Sequence, residues 1–416
     1  MTDKIKIFTI GDHPLSPSGV GSQTKYIIEG MLKTGKYQFI SFGGAIKHHD
    51  HHPQKTEEWD EDWIIWPVDG YGNAEMIRSI LHQQKPDILW FMTDPRFWGW
   101  LWEIENEIRA MVPMVYYHVW DNYPVPMYNR INYLSNDHVA CISKLTYDIV
   151  QKAAPEVGSS YIPHAVDGDI FTPLPPTATA ELRVKHRLED KFVCFWNNRN
   201  ARRKQSGSLI YWFKAFLDKV GHDKAVLLMH TDVGDVHGQD LEAIIQALGL
   251  TNGEVLFSRD KVSPEDLAAI YNMADVTINI ADAEGFGLAT LESLSCGTPI
   301  MVTLTGGLQD QITDGTDHFG VGIEPTSKAI IGSQEVPYIY EDRISEEEFV
   351  KGLTTLYEMG HEARVELGAK GREFTEKSFN FETFIHTWDK LFERIHTEEG
   401  SWETRKTRKT YEMRTF

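Results

Sequence analysis

The sequence predicts an α/β protein built from two doubly wound domains, and three observations carry that expectation. Short β-rich apolar runs alternate with amphipathic helical stretches along most of the 416 residues. That alternation is the pattern of βαβ units, in which helices cover both faces of a parallel sheet. A proline- and threonine-rich stretch, "DGDIFTPLPPTATA" (167–180), interrupts the alternation before it restarts, and reads as a linker. The length also exceeds what one ordinary core accommodates.

Taken in order, "KIKIFTI", "YQFISFGG", "DWIIWPV", "DILWFMT", "VPMVYYHV" and "HVACIS" read as the strands of the first domain. "QTKYIIEGMLKTG" and "AEMIRSILHQQKPD" are amphipathic helices between them. After the linker, "KFVCFW", "KAVLLMH", "GEVLFS", "DVTINI" and "PIMVTL" repeat the pattern. Residues 322–344 read as an inserted hairpin. "FETFIHTWDKLFERI" is a helix whose apolar face holds Phe381, Phe384, Trp388 and Leu391. The expected division is 1–168, with a C-terminal segment of about 385–416 returning to it, and 169–384. In such sheets ligands sit beyond the carboxyl ends of the strands, so a cleft there is the expected site.

Composition excludes several classes. Hydrophobic residues at 41% and charged residues at 25% fit a globular chain, not a disordered one. The net charge of −20 argues against non-specific binding to nucleic acid, which only a local basic patch would override. Cys141, Cys194 and Cys296 are widely spaced and read as buried free thiols of a reducing compartment. Asp3 and Lys4 lead directly into the first strand, so no signal peptide is expected, and no apolar run reaches bilayer length. Together these point to the cytoplasm. The last residues, "SWETRKTRKTYEMRTF", hold Arg405, Lys406, Arg408, Lys409 and Arg414. They read as a solvated tail, with docking to an acidic partner or membrane as the lesser reading.

The chemistry concentrates in "EGFGLATLESLSCGTPI" (284–300), which follows the strand "DVTINI". A glycine turn opening a helix points unpaired N–H groups outward and is suited to an anion. Gly285 and Gly287 let the backbone approach closely, and the N–H groups of Phe286, Gly287 and Leu288 would face a phosphate. Glu284 and Glu292 flank the turn and can accept hydrogen bonds from hydroxyls, as an acidic residue beside a phosphate turn does for ribose. The ligand that suits both features is a phosphate flanked by two polyols. The plain reading is a turn with Glu292 on an exposed helix face, and for an isolated pair of glutamates that reading would prevail.

The longer stretch "LAAIYNMADVTINIADAEGFGLATLESLSCGTPIMVTLTGGLQD" resembles the C-terminal signature of the retaining glycosyltransferases of family 4 (glycosyl transferases group 1). The resemblance covers most of the chain: it is strong over Val255–Gly307, weaker around 160–205 and skeletal in the first half. It implies the GT-B fold: two Rossmann-like domains facing across a cleft, with the C-terminal helix crossing back to the first. It implies a nucleotide-diphosphate sugar as donor and a hydroxyl acceptor (glycan, protein, lipid or modified nucleic acid). No cofactor is expected, and no metal, because Arg199, Lys204 and the N–H groups of the 285–287 turn offer fixed compensation for the leaving charge. The second glutamate of the motif, Glu292, would bind ribose hydroxyls and the first, Glu284, the transferred sugar.

Further elements match by order. In "FWNNRNARRKQ" the resemblance assigns Arg199 and Lys204 to the donor diphosphate, where fixed cations stabilise the negative charge of the departing phosphate. Asn198 and Gln205 stand where the family usually has glycine, which leaves Arg202 or Arg203 as substitutes. Gly19, Val20 and Gly21 in "SGVG" match the family's N-terminal glycine loop, although a plain strand-to-helix turn explains them equally well. His118 would lie near the sugar, with Asp121 orienting it or touching acceptor. His164 and Asp167 mark the interdomain turn, and Arg259, Asp260 and Lys261 the loop around the base. Trp98 and Trp120 are acceptor-side aromatics, although Trp98 and Trp102, at i and i+4, also fit ordinary core. The clusters "KHHDHHP" (47–53) and "DED" (60–62) read as a solvated loop and a charged turn, not metal sites. Two rival functions stay open: a sugar-nucleotide-binding scaffold without activity, and a sugar-nucleotide epimerase of related fold.

Overall fold

The strands β1 (Ile5–Asp12), β2 (Tyr37–Gly44), β3 (Gln54–Lys55), β4 (Trp63–Pro67), β5 (Ile88–Thr93), β6 (Met114–His118), β7 (His138–Cys141) and β8 (Gly158–Tyr161) form one sheet. Every residue of β5 and β6 is buried, as strands covered on both faces require. The order is β3-β4-β2-β1-β5-β6-β7-β8. All pairs are parallel except β3 with β4. The order reverses between β1 and β5, where a ligand crevice opens in doubly wound sheets. This computed structural model describes residues 4–406.

The chain forms two units, one running to His164 and resuming at Glu382, the other Ala165–Phe381. The helix Phe381–Glu399 supplies the first unit with a covering face. Trp388 meets Trp90 and Tyr117 edge-on, with ring centroids 5.9 and 4.9 Å away. Asp389 accepts from Lys36 (2.8 Å) and from the Tyr37 hydroxyl (2.7 Å). The C-terminal helix thus crosses back to the first domain, as the resemblance implies.

In the second unit β9 (Phe192–Asn197), β10 (Ala225–His230), β11 (Val255–Ser258), β12 (Val276–Asn279), β13 (Ile300–Thr303) and β14 (Gly320–Ile323) form an all-parallel sheet. Its order is β11-β10-β9-β12-β13-β14. The helix Ser206–Val220 buries Phe213, Phe216 and Leu217 against it. Each such side chain contributes about 1.5–3 kcal/mol by leaving water. Residues 322–344 do hold a hairpin, β15 (Ser327–Ile331) paired antiparallel with β16 (Ile339–Arg343).

Two expectations are corrected here. The last third of the expected linker is helix: Pro176 opens Pro176–His186, where its fixed φ suits the first turn. Arg405 is not a solvated tail residue. Its side chain is 3% exposed and donates to Asp137 (2.6 Å) and Glu399 (3.0 Å). Arg408, Lys409 and Arg414 lie outside the described residues. Among the described residues no helix is long and apolar enough to cross a membrane. The "DED" turn is a short 3-10 helix before β4, with Asp62 accepting from Lys4 (2.6 Å) and Gln38 (2.9 Å). In the histidine loop His48 contacts the Gly43 carbonyl, and His51 and His52 pair with Asp69 and Asp50.

Candidate active site

β9 and β12 are hydrogen-bonded neighbours, with Cys194 opposite Val276 and Phe195 opposite Thr277. The strand order reverses between them, so the loops leaving their carboxyl ends meet at the switch point of the sheet. The Asp282 N–H donates to the Arg203 carbonyl (2.8 Å), tying the two loops together. Lys204 then pairs with Glu284, both side chains about nine-tenths buried (11% and 10% exposed). Asn279, the last residue of β12, donates to the same carboxylate (3.1 Å). The Arg203 guanidinium donates to the Ala283 carbonyl and stands 4.0 Å from the other Glu284 oxygen. Burial alone would raise the Glu284 pKa; Lys204 and Arg203 outweigh it and hold the carboxyl down at about 2. Glu284 is therefore an ionised group facing two cations.

The glycine turn is built for closeness. Gly287 takes φ +90° as N-cap of the helix Leu288–Ser295, and a Cβ there would stand 2.6 Å from Leu308 Cδ2. Gly307 packs against the turn itself, where a Cβ would meet the Gly285 carbonyl at 2.5 Å. Buried Gln311 donates to the carbonyls of Phe286 (2.7 Å) and Gly287 (3.1 Å) and accepts from Thr290 (2.6 Å). The Phe286 side chain is core, edge-on to Phe379, so this residue can offer only its backbone to a ligand. Leu288 begins the helix, half-buried.

Glu292 is not on an exposed helix face. It is half-buried and accepts from the Tyr271 hydroxyl (2.7 Å), which in turn accepts from Asn197 (2.9 Å). Burial pushes its carboxyl up to about 7, against the lowering effect of Tyr271.

The other cations have other partners. Arg199 donates to Asp235 (3.2 Å from Nη2) and its side chain is 62% exposed, outside the Glu284 network. Arg202 pairs with Glu341 (3.0 Å). Of the residues weighed for the basic loop, the structure brings Lys204 and Arg203 together on Glu284. Arg259 pairs with Glu242 and lies over the Phe257 ring, while Asp260 and Lys261 are exposed in the loop after β11.

In the first unit Gly19, Val20 and Gly21 open the helix Gly19–Lys33, and the Gly21 N–H donates to its N-cap Ser18 (3.0 Å). A Cβ at Gly21 would meet Ser16 Oγ at 2.5 Å. His118 ends β6 but does not face solvent. Its side chain is fully buried, with Tyr116 and Tyr133 hydroxyls at its ring nitrogens (3.2 and 3.0 Å). Desolvation lowers its pKa to about 3, so the ring is neutral. Trp98 is corrected outright: it is core, against Phe91 and Tyr71, and offers no face to an acceptor. Trp120 is buried too, donating to the Asn122 carbonyl (2.8 Å), because "WDN" folds back on itself; Asp121 beside it is half-buried. His164 is buried at Tyr117 (2.9 Å), and Asp167 caps the turn at Asp169 (3.0 Å). Asn279, Tyr271 and Gly307 escaped the sequence reading although they lie within the quoted signature, and Gln311, which directly follows it, escaped as well.

Residues 179–374 match the family described as glycosyl transferases group 1. A D-inositol 3-phosphate glycosyltransferase of Arthrobacter sp. (strain FB24) is 32% identical over 157 residues, 37% of this chain and 35% of that protein. A GDP-mannose-dependent alpha-(1-6)-phosphatidylinositol monomannoside mannosyltransferase of Mycolicibacterium smegmatis is 29% identical over 187 residues, 43% of this chain and 47% of that protein. The chain thus spans between about a third and a half of these curated relatives. The sucrose-phosphate synthase of Thermosynechococcus elongatus superposes with a TM-score of 0.74 at 16% identity, covering 95% of this chain and 100% of that one. The described residues have the GT-B fold, and the second unit carries a segment of the glycosyl transferases group 1 type over residues 179–374.

Proposed function

We propose that the protein transfers a sugar from a nucleotide-diphosphate donor to a hydroxyl acceptor, with retention of configuration and without a divalent metal. One observation carries the reading: an ionised Glu284 held by Lys204 and Arg203 at a glycine turn, with Glu292 on the helix that turn opens. The turn and the two cations suit a diphosphate, Glu292 a ribose and Glu284 a sugar hydroxyl. As the glycosidic bond breaks, negative charge grows on the phosphate, and Lys204 and Arg203 are placed in the loop that can compensate it. The acceptor hydroxyl attacks from the side of the leaving group, and the departing phosphate oxygen takes its proton. Arg199, pulled from Asp235, would add a third cation. Arg259 and Lys261 would belong to the base. The three free, buried cysteines support a cytoplasmic setting.

The test is hydrolysis of UDP-glucose and GDP-mannose, followed by NMR of the sugar released, with and without excess EDTA. The expected result is the α-anomer first, at a rate EDTA leaves unchanged. The β-anomer first would contradict retention. Loss in EDTA with rescue by magnesium or manganese would contradict the charge assignment. Nucleotide binding without any turnover would favour the scaffold reading.

A further inference from the structure

The hairpin β15–β16 has two unlike faces. On one, Ile330, paired with Tyr340, is 73% exposed, and a two-stranded ribbon of this kind has little stability of its own. On the other, Glu341, paired with Ala329, is 1% exposed, and burying a carboxylate is tolerable only with full pairing. The pairing comes from two arginines: Arg202 (3.0 Å) from the loop after β9, and Arg343 (2.9 Å) from the hairpin itself. Arg343 Nε also stands 3.2 Å from Asp282, and the Asp342 N–H donates to the Asp282 carbonyl (2.8 Å). Asp282 in turn accepts from the Gln205 side chain (2.7 Å).

Gln205 follows Lys204 directly and takes φ +58°, the left-handed region that favours glycine. Its side-chain carbonyl accepts from Ser208 (2.7 Å) while its amide holds Asp282, so both ends of the amide are tied. The turn that delivers Lys204 is therefore fixed from outside, by residues of the loop after β12 and of the hairpin.

We propose that the buried face of the hairpin is a clamp on the donor loops, with Glu341 and Asp282 as positioning residues that set the turn 202–205 so that Lys204 stands at Glu284. This rests on the glycosyltransferase reading above. Glu341 engages Arg202, which leaves the compensation of the leaving phosphate to Lys204 and Arg203.

Glu341→Gln keeps the volume and one acceptor for Arg202, and thermal melting checks that it folds. Hydrolysis of UDP-glucose or GDP-mannose, whichever the wild-type protein turns over, is measured for the wild type, Glu341→Gln, Lys204→Ala and the double variant. The clamp predicts a kcat lowered about tenfold by Glu341→Gln through displacement of Lys204. UDP or GDP affinity should change less than about twofold, and the kcat effect should vanish in the Lys204→Ala background. An equal fall in both backgrounds means a merely structural role and overturns the clamp, as does an unchanged kcat. A wild-type protein that turns over neither donor overturns the proposed function, and the clamp with it.

Discussion

Lys204→Ala should lower donor turnover by about 10²–10³-fold, because it removes a preorganised charge from a buried site. Affinity for the nucleoside diphosphate should fall much less, since the charge matters most while the phosphate is leaving. The ground state also changes in a readable way. Lys204 is the larger of the two influences that outweigh burial at Glu284, so without it the Glu284 carboxyl moves up from about 2. Activity in the variant should therefore fall at a higher pH on the acid side than it does in the wild type. Steady-state kinetics on Lys204→Ala and Arg203→Ala provide the check. If the large loss in turnover follows only replacement of Arg203, or of Arg202, the cation has been wrongly chosen.

Asp275→Ala should be the most damaging single change to the stability of the second unit. Asp275 lies directly before β12 and is buried. It accepts from Arg183 (2.6 Å), Arg364 (3.0 Å) and the Val193 N–H (2.9 Å). Arg364 also lies over the Phe192 ring, 4.9 Å from its centroid, so it cannot move out without unpacking β9. Removing one partner of a buried ion pair typically costs about 3–5 kcal/mol, because the remaining charge is left uncompensated. Urea denaturation should show that loss. A cost below about 1 kcal/mol would mean that water reaches the two guanidinium groups.

Much of the architecture was legible because the strands are short, apolar and buried on both faces. "YQFISFGG" coincides with β2, and "KFVCFW" lies within one residue of β9. The glycine turn was legible too, since its residues are contiguous. What escaped depended on partners distant in sequence. Arg199 and Arg202 find acids 36 and 139 residues away, so which cation remains for Glu284 is not written in "NNRNARRKQ". Trp98 and His118 looked available because periodicity places a residue on an element without saying what covers it. Here Phe91 and Tyr71 cover the one, Tyr116 and Tyr133 the other. Pro176 read as a linker signal, yet proline also opens helices, and "TATAELRVKH" supplies the formers that continue one.

The ribose contact of Glu292 tests the donor site most directly. Calorimetric titration would compare UDP and GDP with their 2′,3′-dideoxy forms, on the wild-type protein and on Glu292→Ala. At pH 8 the carboxyl, raised to about 7 by burial, is ionised and accepts from hydroxyls. A raised pKa makes this group a stability cost that grows as pH rises from its ordinary carboxylate range to about 7 and is complete above it. Removing it at pH 8 should therefore not unfold the protein. The account predicts that the wild type favours one ribonucleotide over its dideoxy form by about 1–3 kcal/mol, and that Glu292→Ala loses this preference. Equal binding of both forms by the wild type, or an undiminished preference in the variant, would contradict it.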